Sequence, residues 1–180
     1  NATEYRHQVS KDYYSEKGWD HTSVDLNGLD RSVIHDLSKP KEEWVNQYPL
    51  ITDHGTLEHI EGLQAQYDTL KNLHDWGVQD CVYIHILPCL DYQQDQYHNR
   101  ECLSWVDHGF YSYSTHFWEK LIEECGYRKI YVGLDCTNLE VTRSYCTAVY
   151  IKAPGSKMMD MDSFCEIFKH NSYHKNGSPA

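Results

Sequence analysis

The chain has 180 residues, 40% hydrophobic, 13% aromatic and 24% charged, with a net charge of −11. That size and composition suit one globular domain and exclude a disordered chain. The acidic balance repels phosphate backbones and excludes a general nucleic-acid binder, and the longest apolar runs, such as 82–87, fall far short of the ~20 residues of a membrane span.

Residues 3–17 read as a helix that Thr3 caps and Gly18 follows. A short β-prone run, 21–25, stops at the turn pair Asn27-Gly28, and a second, 31–35, closes at 36–40. Residues 41–47 read as a loop with one helical turn. Residues 48–52 form a compact apolar strand that runs into Asp53-His54-Gly55-Thr56, and 57–60 begin a turn or short helix. Over 62–76, Leu63, Tyr67, Leu70, Leu73 and Trp76 share one helical face, and Gly77 is expected to end that helix in the left-handed conformation. Residues 81–87 are the strongest strand, apolar nearly throughout, as a strand covered on both faces should be. Pro88 stops it. The stretch 89–109 is long, polar and irregular, the kind of loop that tends to carry function. Residues 115–125 form a helix capped at Ser114 or Thr115, with Phe117, Trp118, Leu121 and Ile122 on its apolar face. Strands 129–134 and 145–152 follow as an antiparallel hairpin. The tail holds a short helical candidate, 161–168, then a polar end, 171–180, expected to lack order.

Strands alternating with helices argue for an α/β domain with a mostly parallel sheet and an antiparallel strand at one side. The domain is expected over 1–153, with 154–180 as a tail. The seven cysteines are odd in number and lack regular short spacing, which suits buried thiols in a reducing compartment, the cytoplasm.

In open α/β sheets ligands lie outside the carboxyl ends of the strands. Asp25 stands at such an end, where a carboxylate accepts from ribose hydroxyls or caps the Asn27-Gly28 turn. Asp36-Leu37 follows the next strand end, placed either to meet a base or simply to close the strand. Gly55 permits close backbone approach to a ligand. Glu58 and His59, as sequence neighbours, do not easily share an inward direction. His85, Cys89, His98 and Cys102 are spaced by four, nine and four, which matches no usual structural zinc pattern, and no metal is expected. Cys89 with His108 lacks an identifiable oxyanion element, and there is no P-loop.

Several of these segments together resemble the class I S-adenosylmethionine-dependent methyltransferases. Ser23-Val24-Asp25 and His35-Asp36-Leu37 resemble the ends of the family's second and third strands. Thr56-Leu57-Glu58-His59-Ile60 resembles the Leu-Glu-His segment after its fourth strand. Residues 62–76 and 82–88 resemble the next helix and fifth strand, and His108-Gly109-Phe110 through Phe117-Trp118 resembles the entry to the following helix. The likeness spans roughly 3–153.

The resemblance implies a Rossmann-like sheet and methyl transfer from S-adenosyl-L-methionine to a small-molecule or glycan acceptor. It implies Asp25 on the ribose, Asp36 and Leu37 on the adenine, and Asp53, His54 and Gly55 beside the sulfonium end. His108 is the leading base and His59 the second, since imidazole titrates near neutral pH. Asp107 would support His108 if the backbone turns, and Tyr111 and Tyr113 would line an acceptor pocket. The family's first strand and glycine-rich loop have no counterpart here. A shortened chain, a strand supplied by a partner chain or second copy, and a non-catalytic scaffold that serves as a protein-interaction domain each account for that.

Overall fold

A computed structural model describes residues 10–89, 108–136 and 144–174. The expected start of the first helix, the loop residues 90–107 (His98, Cys102 and Asp107 among them) and the last residues, 175–180, lie outside the described residues. The chain forms two compact units, Asn1–Lys39 and Pro40–Ala180.

In the first unit, helix α1 covers Ser10–Glu16, and strands β1 (Val24–Asp25) and β2 (Val33–Ile34) pair in parallel, Val24 with Val33 and Asp25 with Ile34. Both strands are far shorter than the sequence suggests. Local side-chain bonds compete with the ladder. Asp25 Oδ1 accepts from the Asn27 amide at 2.9 Å, and Asn27 Oδ1 accepts from the Leu29 amide at 2.7 Å. Gly28, Asp30 and Arg31 then take positive φ, which no strand can continue.

The second unit contains β3 (Tyr48–His54), α2 (Leu63–Trp76), β4 (Gly77–Pro88), β5 (Tyr111–Tyr113), α3 (Thr115–Glu124), β6 (Arg128–Cys136), β7 (Ser144–Ile151), α4 (Met161–Asn171) and β8 (Ser172–His174). Four strands make a sheet in the order β3-β4-β7-β6. The expectation of a mostly parallel sheet is corrected: β3 and β4 are parallel, whereas β4–β7 and β7–β6 are antiparallel. The antiparallel strand β7 sits inside the sheet rather than at its side. The link between β6 and β7 is too short for a helical crossover, so the two can pair only as a hairpin, and it is the second strand of that hairpin that docks on β4.

Within β4, Cys81, Tyr83, His85 and Leu87 are buried while Val82, Ile84 and Ile86 are half-buried. The strand is thus fully covered on one face, not on both. Gly77 also departs from expectation. It has φ −69° and ψ 134°, and passes straight from α2 into the strand. A glycine is needed there because a Cβ would overlap the Tyr83 hydroxyl and crowd Cys81.

The helices build the core on that covered face. Ser114 caps α3, its Oγ accepting from the Phe117 amide at 3.0 Å, and Phe117, Trp118, Leu121 and Ile122 are buried as the pattern predicts. Helix α3 lies against β6 and β7, and α4 packs on α2 and α3. Phe164 and Phe168 of α4 are fully buried, with Phe164 beside Tyr67 and Phe168 beside Tyr111 and Phe117. The segment expected to lack order begins with β8, whose Ser172–His174 pairs antiparallel with Tyr111–Tyr113. Among the described cysteines, Cys81, Cys89, Cys125 and Cys146 are buried. No described helix is long and apolar enough to cross a membrane.

Candidate functional site

Because β3 and β4 are parallel, their carboxyl ends open on the same side of the sheet. The chain leaves β3 at His54 and turns at Gly55, whose φ of +78° suits glycine and whose amide donates to the Ile86 carbonyl at 3.2 Å. The Thr56 amide donates to Asp53 Oδ1 at 3.0 Å. A 3-10 turn, Leu57–His59, follows, anchored by the buried Leu57 side chain.

Helix α2 holds this turn from below. The Gln66 Nε2 donates to the carbonyls of Leu57 at 2.7 Å and Ile60 at 2.6 Å, and the Tyr113 hydroxyl donates to Gln66 Oε1. From the other side comes the segment that leads into β5. The Phe110 amide donates to the Glu58 carbonyl at 2.6 Å. Gly109 has φ +68°, and a Cβ on it would lie 2.7 Å from the Glu58 carbonyl oxygen. His108 is thereby laid against the turn.

Three side chains meet at this point. His108 Nε2 lies 3.5 Å and His59 Nε2 lies 3.7 Å from Glu58 Oε1. The two imidazoles meet edge to face with centroids 4.9 Å apart. Glu58 is fully buried, and neither of its carboxylate oxygens has a hydrogen-bond partner. Burial pushes its carboxyl up to about 7, and the Asp53 charge adds to the effect. The two histidines are half-exposed, so the group is closed beneath and open to solvent above.

A second polar chain runs under the sheet's end. Asp53 Oδ2 lies 3.2 Å from His85 Nδ1, and His85 Nε2 lies 3.1 Å from the Tyr150 hydroxyl. His85 is fully buried and stacks on Trp118 at 4.5 Å. The tautomer with Nδ1–H donating to Asp53 leaves Nε2 to accept from the Tyr150 hydroxyl.

The sequence-derived candidates fall into three groups. Asp53, Gly55, His59 and His108 belong to the strand-end cluster, and His54 is exposed beside it. Tyr111 and Tyr113 are buried within β5: the Tyr111 hydroxyl accepts from the Gly62 amide at 3.2 Å, and Tyr113 holds Gln66. In the first unit Asp25 is exposed and caps its own turn, and Asp36 does the same, Oδ1 accepting from the Ser38 amide at 2.9 Å and hydroxyl at 2.8 Å. Leu37 is half-buried. The sequence does not reveal Glu58 as the centre. Its neighbour His59 reaches the same point from the exposed side, which the tight 3-10 turn allows. The clue available was the glycine after His108, which lets that histidine approach another backbone closely.

No protein-family model and no curated protein sequence matches this chain.

Proposed function

We propose that the chain transfers a methyl group from S-adenosyl-L-methionine to a small-molecule or glycan acceptor. One observation carries this reading: the Leu57-Glu58-His59 turn stands at the carboxyl end of the parallel β3–β4 pair, with His108 brought onto it. That is where the resemblance puts methyl transfer, and where ligands collect in sheets of this kind. The buried acidic side chains of Asp53 and Glu58 stand at that end, which suits a cationic sulfonium.

When bound, S-adenosylmethionine supplies an electrophilic methyl group. The turn at Asp53–Gly55 would border its sulfonium end, as the resemblance implies. His108 takes the proton that an acceptor hydroxyl or amine loses as the acceptor–carbon bond forms and the carbon–sulfur bond breaks. The Glu58 carboxylate stabilises the imidazolium that results. His59, at the same carboxylate, is the second candidate. The nucleoside roles of Asp25, Asp36 and Leu37 rest on the resemblance alone.

The reading is tested by calorimetric titration of the chain with S-adenosylhomocysteine. Binding in the micromolar range is expected (about −8 kcal/mol), weakened by Asp53→Asn and by Asp25→Ala, with unchanged circular dichroism in both. A chain that folds and takes up no S-adenosylhomocysteine would overturn methyl transfer and leave the interaction scaffold.

A further inference from the structure

We propose that Glu58, His59 and His108 bind a divalent transition-metal ion, zinc being the ion their donor set fits best. Their three ligand atoms lie within 4.8 Å of one another. Zinc holds imidazole nitrogen and carboxylate oxygen at ~2.0–2.2 Å, so neighbouring ligands in a tetrahedral site stand about 3.4 Å apart. The two separations from Glu58 Oε1, 3.5 and 3.7 Å, are close to that edge length, and both are too long for hydrogen bonds.

The state of Glu58 is an independent pointer. A fully buried carboxylate whose two oxygens have no donor is costly unless a cation meets it. The oxygen aimed between two imidazole nitrogens has the neighbours of a metal ligand. Two nitrogens and one carboxylate select zinc and its transition-metal neighbours over magnesium or calcium, which prefer all-oxygen sites. Three protein ligands with one side open are also the pattern of sites that keep a coordination position for water or substrate. Here the open side is the solvent side, where both imidazole rings are half-exposed. The supporting frame is already rigid: Gln66 fixes the turn and the Phe110 amide fixes the approach of His108.

This inference stands apart from methyl transfer, since the ion is measured on the chain alone. With an ion bound, His59 and His108 would be ligands rather than bases, so the base role given to His108 above would belong to the ion-free chain.

The test is calorimetric titration of the chelator-treated full chain with Zn²⁺, with the visible absorption of Co²⁺ reporting the ligand field. One equivalent per chain is expected with a Kd below about 10 µM, together with a rise in the thermal midpoint. Glu58→Gln, His59→Ala and His108→Ala should each weaken binding by at least ~10-fold and abolish the rise. The two histidine variants alter half-exposed side chains, so they carry the test if Glu58→Gln does not fold. The proposal is overturned if the wild-type chain takes no stoichiometric zinc, or if the variants bind it as the wild type does, which would place the ion on other histidines or cysteines.

Discussion

Gly109 shows how much of the site depends on the absence of one carbon atom. Its φ is +68°, and a Cβ would stand 2.7 Å from the Glu58 carbonyl oxygen and 2.9 Å from Glu58 Cγ. The first of these neighbours is backbone and cannot swing aside. Gly126 offers a matched control, since its φ is +66° and the nearest atom to its Cβ would be Ser156 Cα at an ordinary 4.0 Å. Gly126→Ala should therefore cost only the left-handed backbone term, about 1 kcal/mol, whereas Gly109→Ala should cost roughly 2–4 kcal/mol. Urea denaturation of both variants measures the difference. Equal losses would mean that the His108–Phe110 segment does not rest on the Glu58 backbone. The two glycines look alike in sequence, each following a polar or half-polar run, and only the packed structure separates them.

At the level of elements, legibility followed length and locality. Helices α2 and α3 announce themselves by a repeated apolar face, and β3 and β4 by continuous apolar runs. Strands β5 and β8 are invisible by those criteria: each has three residues, and their pairing joins 111–113 to 172–174. The end of α2 is legible only in part. Gly77 marks the right place, but the charge that completes that end comes from beyond the neighbouring strand β7, distant in sequence. Lys152, just past β7, donates from Nζ to the carbonyls of His74 at 2.8 Å and Gly77 at 2.9 Å. A cation at a helix C-terminus meets the negative end of the helix dipole and satisfies carbonyls that have no partner within the helix. Lys152→Met keeps the aliphatic stem and removes both charge-assisted bonds, so it should destabilise the fold by about 1.5–3 kcal/mol. Lys152→Arg should recover part of that. The urea midpoints of the two variants check the assignment, and a neutral Lys152→Met would show that the bonds add nothing to stability.

For the second unit taken whole, the candidate site was half legible because its parts are local but its centre is not. The sequence places His59 and His108 near strand and loop ends; it does not place both against Glu58, since that requires the loop's return to the turn. The same holds for the buried histidines. His85 packs inside its strand, and its bonds to Asp53 and Tyr150 come from two other strands. His74 is the counterpart with consequences for the entire fold. It is buried at the end of α2, its Nδ1 is 2.6 Å from the Tyr127 hydroxyl, and Lys152, Lys71 and Asp75 surround it. Burial, then the Lys152 charge, lowers it to about 4. The folded chain therefore keeps His74 neutral where the unfolded chain protonates it. A group lowered in this way favours folding fully above the unfolded value near 6.5, and its contribution falls away as pH drops toward the folded value. Stability should decline from about pH 6.5 to about pH 4, by on the order of 3 kcal/mol from this one group. Urea unfolding at closely spaced pH values measures the slope. His74→Gln keeps a polar side chain that can meet Tyr127 but takes up no proton, so its slope over the same window should be shallower by up to one proton. An unchanged slope would mean that His74 is accessible to protons in the folded chain.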